Sequence, residues 1–172
     1  MRKGLWLFSF CLLTFSLRAQ KGTHKGQLSV GAGAVLPVGR FAGSHTVGGE
    51  LMAGTAGAWS AFYKQKQVRF AWSGGAAFFI GKKEMVSGYP YSYPGYVMIN
   101  AMAGAMYSPV RKTTFIVLAG PGARFYNGIS AFAISSRFDI QYYVDKKWAV
   151  SPGINMQKEA GAGPSWSLSL KA

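Results

Sequence analysis

The chain is poor in cysteine, in acid and in histidine. Its one cysteine is Cys11, five acids face 19 lysines and arginines, and the only histidines are His24 and His45. Each scarcity excludes something. Cys11 lies inside an N-terminal apolar run, so the rest of the chain has no thiol for a disulfide, a redox centre or a cysteine zinc site. Two distant histidines and few acids cannot assemble a metal ligand set. No cofactor signature is present either. The glycine-rich stretches GAGAV and GGELMAGTAG lack the Lys-Ser/Thr pair that a phosphate loop needs. Beyond the N-terminus no apolar run reaches the roughly 18 residues of a membrane helix.

What is present is apolar, glycine-rich and basic. At 172 residues the chain is one domain's worth, with 49% hydrophobic residues, 23 glycines and a formal charge of +14. Such a charge fits nucleic acid, an anionic membrane surface or plain solubility. The first residues narrow that choice. Arg2 and Lys3 precede the run GLWLFSFCLLTFSL, and Ala19 follows as a small residue suited to cleavage. This is the three-part pattern of a secretory signal over residues 1–19, leaving a tail of 20–26 and a domain of 27–172. Export argues against nucleic acid as a partner.

The domain alternates. In ISSRFDIQYYV (134–144), Phe138 and Ile140 share one face, and Arg137 and Asp139 share the other. A helix would scatter these charges around its surface, whereas a strand sends successive side chains to opposite sides. The same two-residue period marks eight segments: 27–38, 47–63, 68–80, 96–108, 114–126, 130–144, 148–157 and 165–171. Pro37, Pro121 and Pro152 fall inside them and predict bulges there. In segment 96–108 the methionines Met98, Met102 and Met106 share a face with Asn100 and Ser108. In the last segment Lys171 shares a face with three serines.

The connectors KQKQ (64–67), VRKT (110–113) and the turn at Asp145-Lys146-Lys147 are short and basic. Those between them include the long GKKEMVSGYPYSYPG (81–95). Outward aromatics gather near the basic turns (Trp59, Tyr63, Phe70, Trp72, Tyr107, Phe115, Tyr142, Trp148) and near the opposite ends (Phe78, Phe125, Phe132, Trp166). Amphipathic rings favour the headgroup level on both sides of a bilayer, so two belts are the mark of a membrane-spanning barrel. Glu50, Arg69, Arg124, Arg137 and Asp139 fall on the opposite, inner face and are expected to form a charge network that fills the lumen.

Over about residues 27–171 this pattern resembles the small, eight-stranded outer-membrane β-barrels of Gram-negative bacteria. The resemblance implies an all-β, antiparallel up-and-down transmembrane barrel in the cell outer membrane. Its implied partners are outer-membrane lipid, lipopolysaccharide and the barrel-insertion machinery. One departure is that the last strand closes on Leu170-Lys171-Ala172 where these barrels end in an aromatic residue. Some small barrels modify lipids, and Ser44, His45 and Glu50 could be read as nucleophile, base and orienter. Close Ser-His pairs also arise by chance in loops, and the expectation is a barrel without catalysis. An exported soluble barrel or sandwich that binds an apolar ligand is the alternative. Tyr89, Tyr91, Tyr93 and Tyr96 offer rigid amphipathic surface and are the candidate outer-loop contacts.

Overall fold

Strict alternation of side chains needs a partner for each backbone edge, and the chain provides one by folding back on itself repeatedly. The computed structural model describes residues 27–56, 68–110, 112–145, 148–160 and 163–172. Strand β1 (Gln27–Val38) leads through one helical turn, α1 (Phe41–Ser44), into β2 (His45–Ala56) and β3 (Arg69–Gly81). A short hairpin, β4 (Lys83–Val86) and β5 (Tyr89–Ser92), precedes β6 (Tyr96–Val110). Then follow β7 (Thr113–Tyr126), β8 (Ile129–Tyr143), β9 (Ala149–Glu159) and β10 (Ser165–Lys171). The eight long strands pair antiparallel with their neighbours along the chain, and β10 returns to β1 to close the barrel. Closure leaves no free edge in the wall. The hairpin β4–β5 is a separate two-stranded sheet.

Alternation is visible residue by residue. On β8, Ala133, Ser135, Arg137 and Asp139 are buried while Phe132, Ile134 and Phe138 are exposed. The three methionines of β6 all point inward and are buried. The eight predicted segments match the eight barrel strands, with ends displaced by a few residues. Residues 39–46, between the first two predicted segments, contain α1 and the first residues of β2. Strand β9 runs to Glu159, two residues beyond the predicted end. The predicted extension of β2 over 57–63, with Trp59 and Tyr63, lies outside the described residues.

The prolines act differently from expectation. Register shifts occur between His45 and Gly48 and between Tyr107 and Val110, the second spanning Pro109. Neither is at Pro37, Pro121 or Pro152. At Pro121 the pairing of β7 with β6 passes from Asn100↔Gly122 to Ala103↔Ala119 without changing register. At Pro152 the pairing of β9 with β8 passes from Asp139↔Gly153 to Tyr142↔Val150 in the same way. Proline removes an N–H donor but adds no residue, so it opens a gap in the ladder rather than a bulge. Pro37 keeps its pairing with Ser167 and lies beyond the last β1–β2 pair, Val35↔Gly48.

Two turns are set by local chemistry. Asn127 and Gly128 join Tyr126 to Ile129 with φ of 50° and 75°, and Ser87 and Gly88 join Val86 to Tyr89 with φ of 51° and 84°. Two successive positive φ values match the twist of the flanking strands, and glycine takes the second at little cost. Gly128→Val should therefore destabilise the barrel by at least about 1–2 kcal/mol, read as a lower urea midpoint. An unchanged midpoint would show that this turn does not contribute.

Candidate functional site: the lumen and its mouth

The lumen is held by four charges from three walls. Arg137 on β8 reaches across to Glu50 on β2, with Nη2 2.5 Å from Oε2. Its Nε lies 3.2 Å from Asp139 Oδ2 on its own strand, and its Nη1 contacts Met52 Sδ at 3.3 Å. Lys171 on β10 donates to Asp139 Oδ1 at 2.7 Å and lies 3.9 Å from Glu50 Oε1. All four side chains are at least nine-tenths buried. Two positive and two negative charges sum to zero, which is what burial demands. Gly153 makes room for the group, because a Cβ there would collide with Asp139 Oδ1.

Of the five predicted lumen charges, the structure joins Glu50, Arg137 and Asp139 in this quartet. Arg124 is engaged elsewhere, its Nη2 2.5 Å from Glu159 Oε2. Arg69, half-buried at the first position of β3, lies outside the quartet. Sequence reasoning missed Lys171 and Glu159 as network members. Lys171 was legible from its shared face with Ser165, Ser167 and Ser169. Glu159 was hidden by ending β9 too soon, since position 159 has the same parity as inward Gln157.

Above the quartet an aromatic plug fills the mouth on the side of the β4–β5 hairpin. Phe41 of α1 packs on Phe79 and Tyr96, with ring centroids 4.9 and 5.0 Å apart, over buried Val35 and Met98. Tyr96 is 3% exposed, and its hydroxyl faces Gln157 Oε1 at 3.2 Å and Glu159 Oε1 at 3.4 Å. This corrects its assignment as an outer-loop contact, because as the first residue of β6 its parity turns it inward. Five lumen-facing side chains of β3, β6 and β7, Ala71, Met102, Met106, Ile116 and Leu118, form a separate apolar cluster.

His45 is buried beside this plug. Its Nε2 lies 3.2 Å from the Pro94 carbonyl, which can only accept, so Nε2 carries the proton. Nδ1 then accepts from the Ser44 hydroxyl at 2.8 Å. Glu50 is held by Arg137 and does not orient His45, so the Ser44, His45 and Glu50 reading does not close into a triad. Among the described residues no group of three or more His, Cys, Asp or Glu could hold a metal ion.

Beyond the mouth, every residue of the β4–β5 hairpin is exposed, with Tyr89 at 77%. Tyr91 and Tyr93 meet edge to face with centroids 4.8 Å apart. A hydrogen bond to Glu84 is the first cause that raises the Tyr93 pKa, with desolvation adding to it.

The outside of the barrel inverts the usual arrangement. Val30, Phe70, Ile134 and Leu170 are more than half exposed, while Arg137, Asp139 and Lys171 are buried. Aromatic side chains rim both ends, with Phe70, Tyr142 and Trp148 exposed at one and Phe78, Phe125, Phe132 and Trp166 at the other. No family model matches the chain, and no curated protein matches it. A solved structure does. The Yersinia pestis outer membrane protein Ail, whose backbone structure was determined in a phospholipid bilayer nanodisc, is similar with a TM-score of 0.54. The match covers 86% of this chain and 98% of that one at 12% identity. The fold is that of a small outer-membrane β-barrel. At this identity the likeness concerns the fold alone.

The quartet can be tested by removing one charge and then its partner. Glu50→Gln should lower the unfolding free energy by about 3–5 kcal/mol, because Arg137 is left buried without its main counter-charge. Adding Arg137→Met should recover part of the loss, since the orphaned charge is then gone. Purely additive losses in the double mutant, measured by urea unfolding in detergent, would mean that the pair is not coupled.

Proposed function

We propose that this chain is a non-catalytic outer-membrane β-barrel with a closed lumen, whose exposed β4–β5 hairpin makes its specific contacts. The observation that carries this reading is the inversion of burial, apolar outside and ionic inside. A soluble barrel with an apolar ligand needs the opposite, a wet exterior and an apolar interior. Here contiguous apolar side chains cover the outer wall, a surface far beyond what soluble monomers expose. Hydrocarbon removes that cost, and a closed ladder is the form in which strands can cross it. The two aromatic rims then fall at the two headgroup levels.

The lumen offers no through-passage on this reading. The plug, the quartet and the apolar cluster fill an interior that eight strands make just wide enough for side chains. Absence of catalysis is supported by the chemistry at the mouth, where both His45 nitrogens are committed and neither meets an acid. Export through a cleaved signal over residues 1–19 and delivery by the insertion machinery belong to the same proposal. Lipid and lipopolysaccharide are the proposed surroundings. Exposed Arg40, Lys83 and Lys158 stand at the mouth end, where lipid phosphates would lie. The proposal includes no nucleic-acid partner and no cofactor.

Membrane residence has a direct test. The purified barrel should migrate differently on SDS gels before and after boiling, as a closed hydrogen-bonded wall resists the detergent when cold. Ile134→Arg places a charge on the outer wall near mid-strand and should cost about 2–4 kcal/mol of membrane-folded stability. Ile134→Leu should cost little. Equal folding of the two, with identical gel mobility and recovery in the soluble periplasm, would favour the soluble alternative.

The direction of the hairpin is tested by trypsin added to intact cells. Cleavage should occur after exposed Lys83 and leave the barrel wall protected. Cleavage there only after the membrane is breached would put the hairpin on the inner side and overturn its contact role.

A further inference from the structure

The β4–β5 hairpin changes chemistry from rung to rung. Residues directly opposite each other in an antiparallel pair point to the same side, and successive rungs point to opposite sides. Val86 is paired with Tyr89 next to the turn, and Met85 with Pro90 on the following rung. The tip is therefore apolar on both of its faces. Met85, Val86 and Tyr89 are 67%, 45% and 77% exposed, and Pro90 is exposed with them. Polarity begins at the third rung, Glu84 with Tyr91, and the fourth, Lys83 with Ser92, carries an exposed cation. Glu84 is turned back toward the stem, where it accepts from the Tyr93 hydroxyl.

A protein surface or an added strand would cover one face or one edge of this hairpin and leave the other in water. Apolar side chains on both faces call for an apolar medium on both. The order along the hairpin is that of a lipid interface, with apolar groups deepest, a tyrosine ring at the headgroups and a lysine at the phosphates. Three residues of strand separate Val86 from Lys83, about 10 Å, which matches the depth to which interfacial segments sink. Only the small turn pair Ser87-Gly88 lies beyond. Charge selects the kind of lipid. Exposed Arg40 and Lys158 join Lys83 at this end, whereas Glu84 and Glu159 are engaged by Tyr93 and Arg124. We propose, on the reading that the hairpin points outward, that its tip inserts into the surface of an anionic phospholipid bilayer facing the mouth. The stems hold the tip ready for that contact, because Lys82 and Pro94 are both fastened to the segment Ser44-His45.

The test floats the refolded barrel, held in nanodiscs of zwitterionic lipid, with vesicles of phosphatidylcholine with or without phosphatidylglycerol. Wild type should co-float with the anionic vesicles at least several-fold more than a Met85→Ser, Tyr89→Ser double variant. Both substitutions are at exposed sites outside the barrel wall, so the gel shift and urea midpoint should be unchanged. Lys83→Gln should narrow the preference for anionic over zwitterionic vesicles without removing binding. Equal flotation of wild type and the double variant would overturn the proposal. So would wild type that stays unbound while trypsin still cuts after Lys83 on intact cells. That result leaves the outward hairpin standing and gives it a protein partner instead. Protection of Lys83 on intact cells would overturn the outward reading and the lipid contact together.

Discussion

Arg137 crosses the lumen, and much of the barrel is arranged around that crossing. Its guanidinium joins the wall at β8 to the wall at β2, and Lys171 brings in β10, the strand that closes the ring. Removing such charges from water costs several kcal/mol per ion, so the quartet is weak as a source of net stability. Its value is in specifying register. A one-residue slip of β8 would turn Arg137 and Asp139 outward and Ser136 and Phe138 inward. The slipped strand would lose both ion pairs and meet hydrocarbon, or exposed apolar neighbours, with two charges. Because Lys171 belongs to the seam, the same interaction that sets β8 also favours closure of β10 on β1.

The interior divides the work between two halves. Strands β2, β8 and β10 supply the quartet, whereas β3, β6 and β7 supply Ala71, three methionines, Ile116 and Leu118. Methionine suits this second half, because an unbranched side chain adapts to the irregular space left beside a fixed ionic cluster. Small residues complete the fit where side chains must lean over a neighbouring strand. Gly153 receives the Asp139 carboxylate, and without that allowance Asp139 could not reach Lys171. The packing rules of an ordinary core thus apply inside the barrel, with the ion cluster treated as one more bulky group.

The fold was largely legible because period-two alternation is a local signal that repeats eight times. Phe138 beside Arg137 is readable without knowing which strand pairs with which. What was not legible depends on strand ends and on partners. Tyr96 was grouped with the loop tyrosines because it closes a Tyr- and Pro-rich stretch, yet it is the first residue of β6 and its parity turns it into the mouth. Glu159 was lost by ending β9 at 157, and with it the partner of Arg124. Lys171 was placed on the inner face, but only three-dimensional closure brings this residue of the last strand beside Asp139. The hairpin β4–β5 lies in a stretch read only as a long connector, although Ser87-Gly88 is a turn pair of the kind that also joins β7 to β8. Pro121 and Pro152 show the limit of residue-level rules, since a missing donor was equated with an inserted residue.

The mouth separates stability from contact. Strand β6 starts immediately after Pro94 and Gly95, and the Pro94 carbonyl accepts from His45, which in turn accepts from Ser44 at the end of α1. Lys82 reinforces this joint from the other stem, its backbone N–H donating to the Ser44 carbonyl at 2.9 Å and its Nζ to that of Ala42. Both stems of the hairpin are therefore fastened to the short helix that carries Phe41 into the plug. Beyond the joint, β4 and β5 pair only with each other, so their exposed side chains contribute little to the barrel. Residues such as Tyr89 and Met85 are exposed and would answer to the proposed contacts, while Phe41, Phe79 and Tyr96 answer to packing. An isolated two-stranded hairpin is marginal in water, and anchoring both its stems at a rigid rim reduces the entropy it must lose on contact. On the proposed reading the plug serves two ends at once, sealing the lumen below and presenting a preorganised strand pair above.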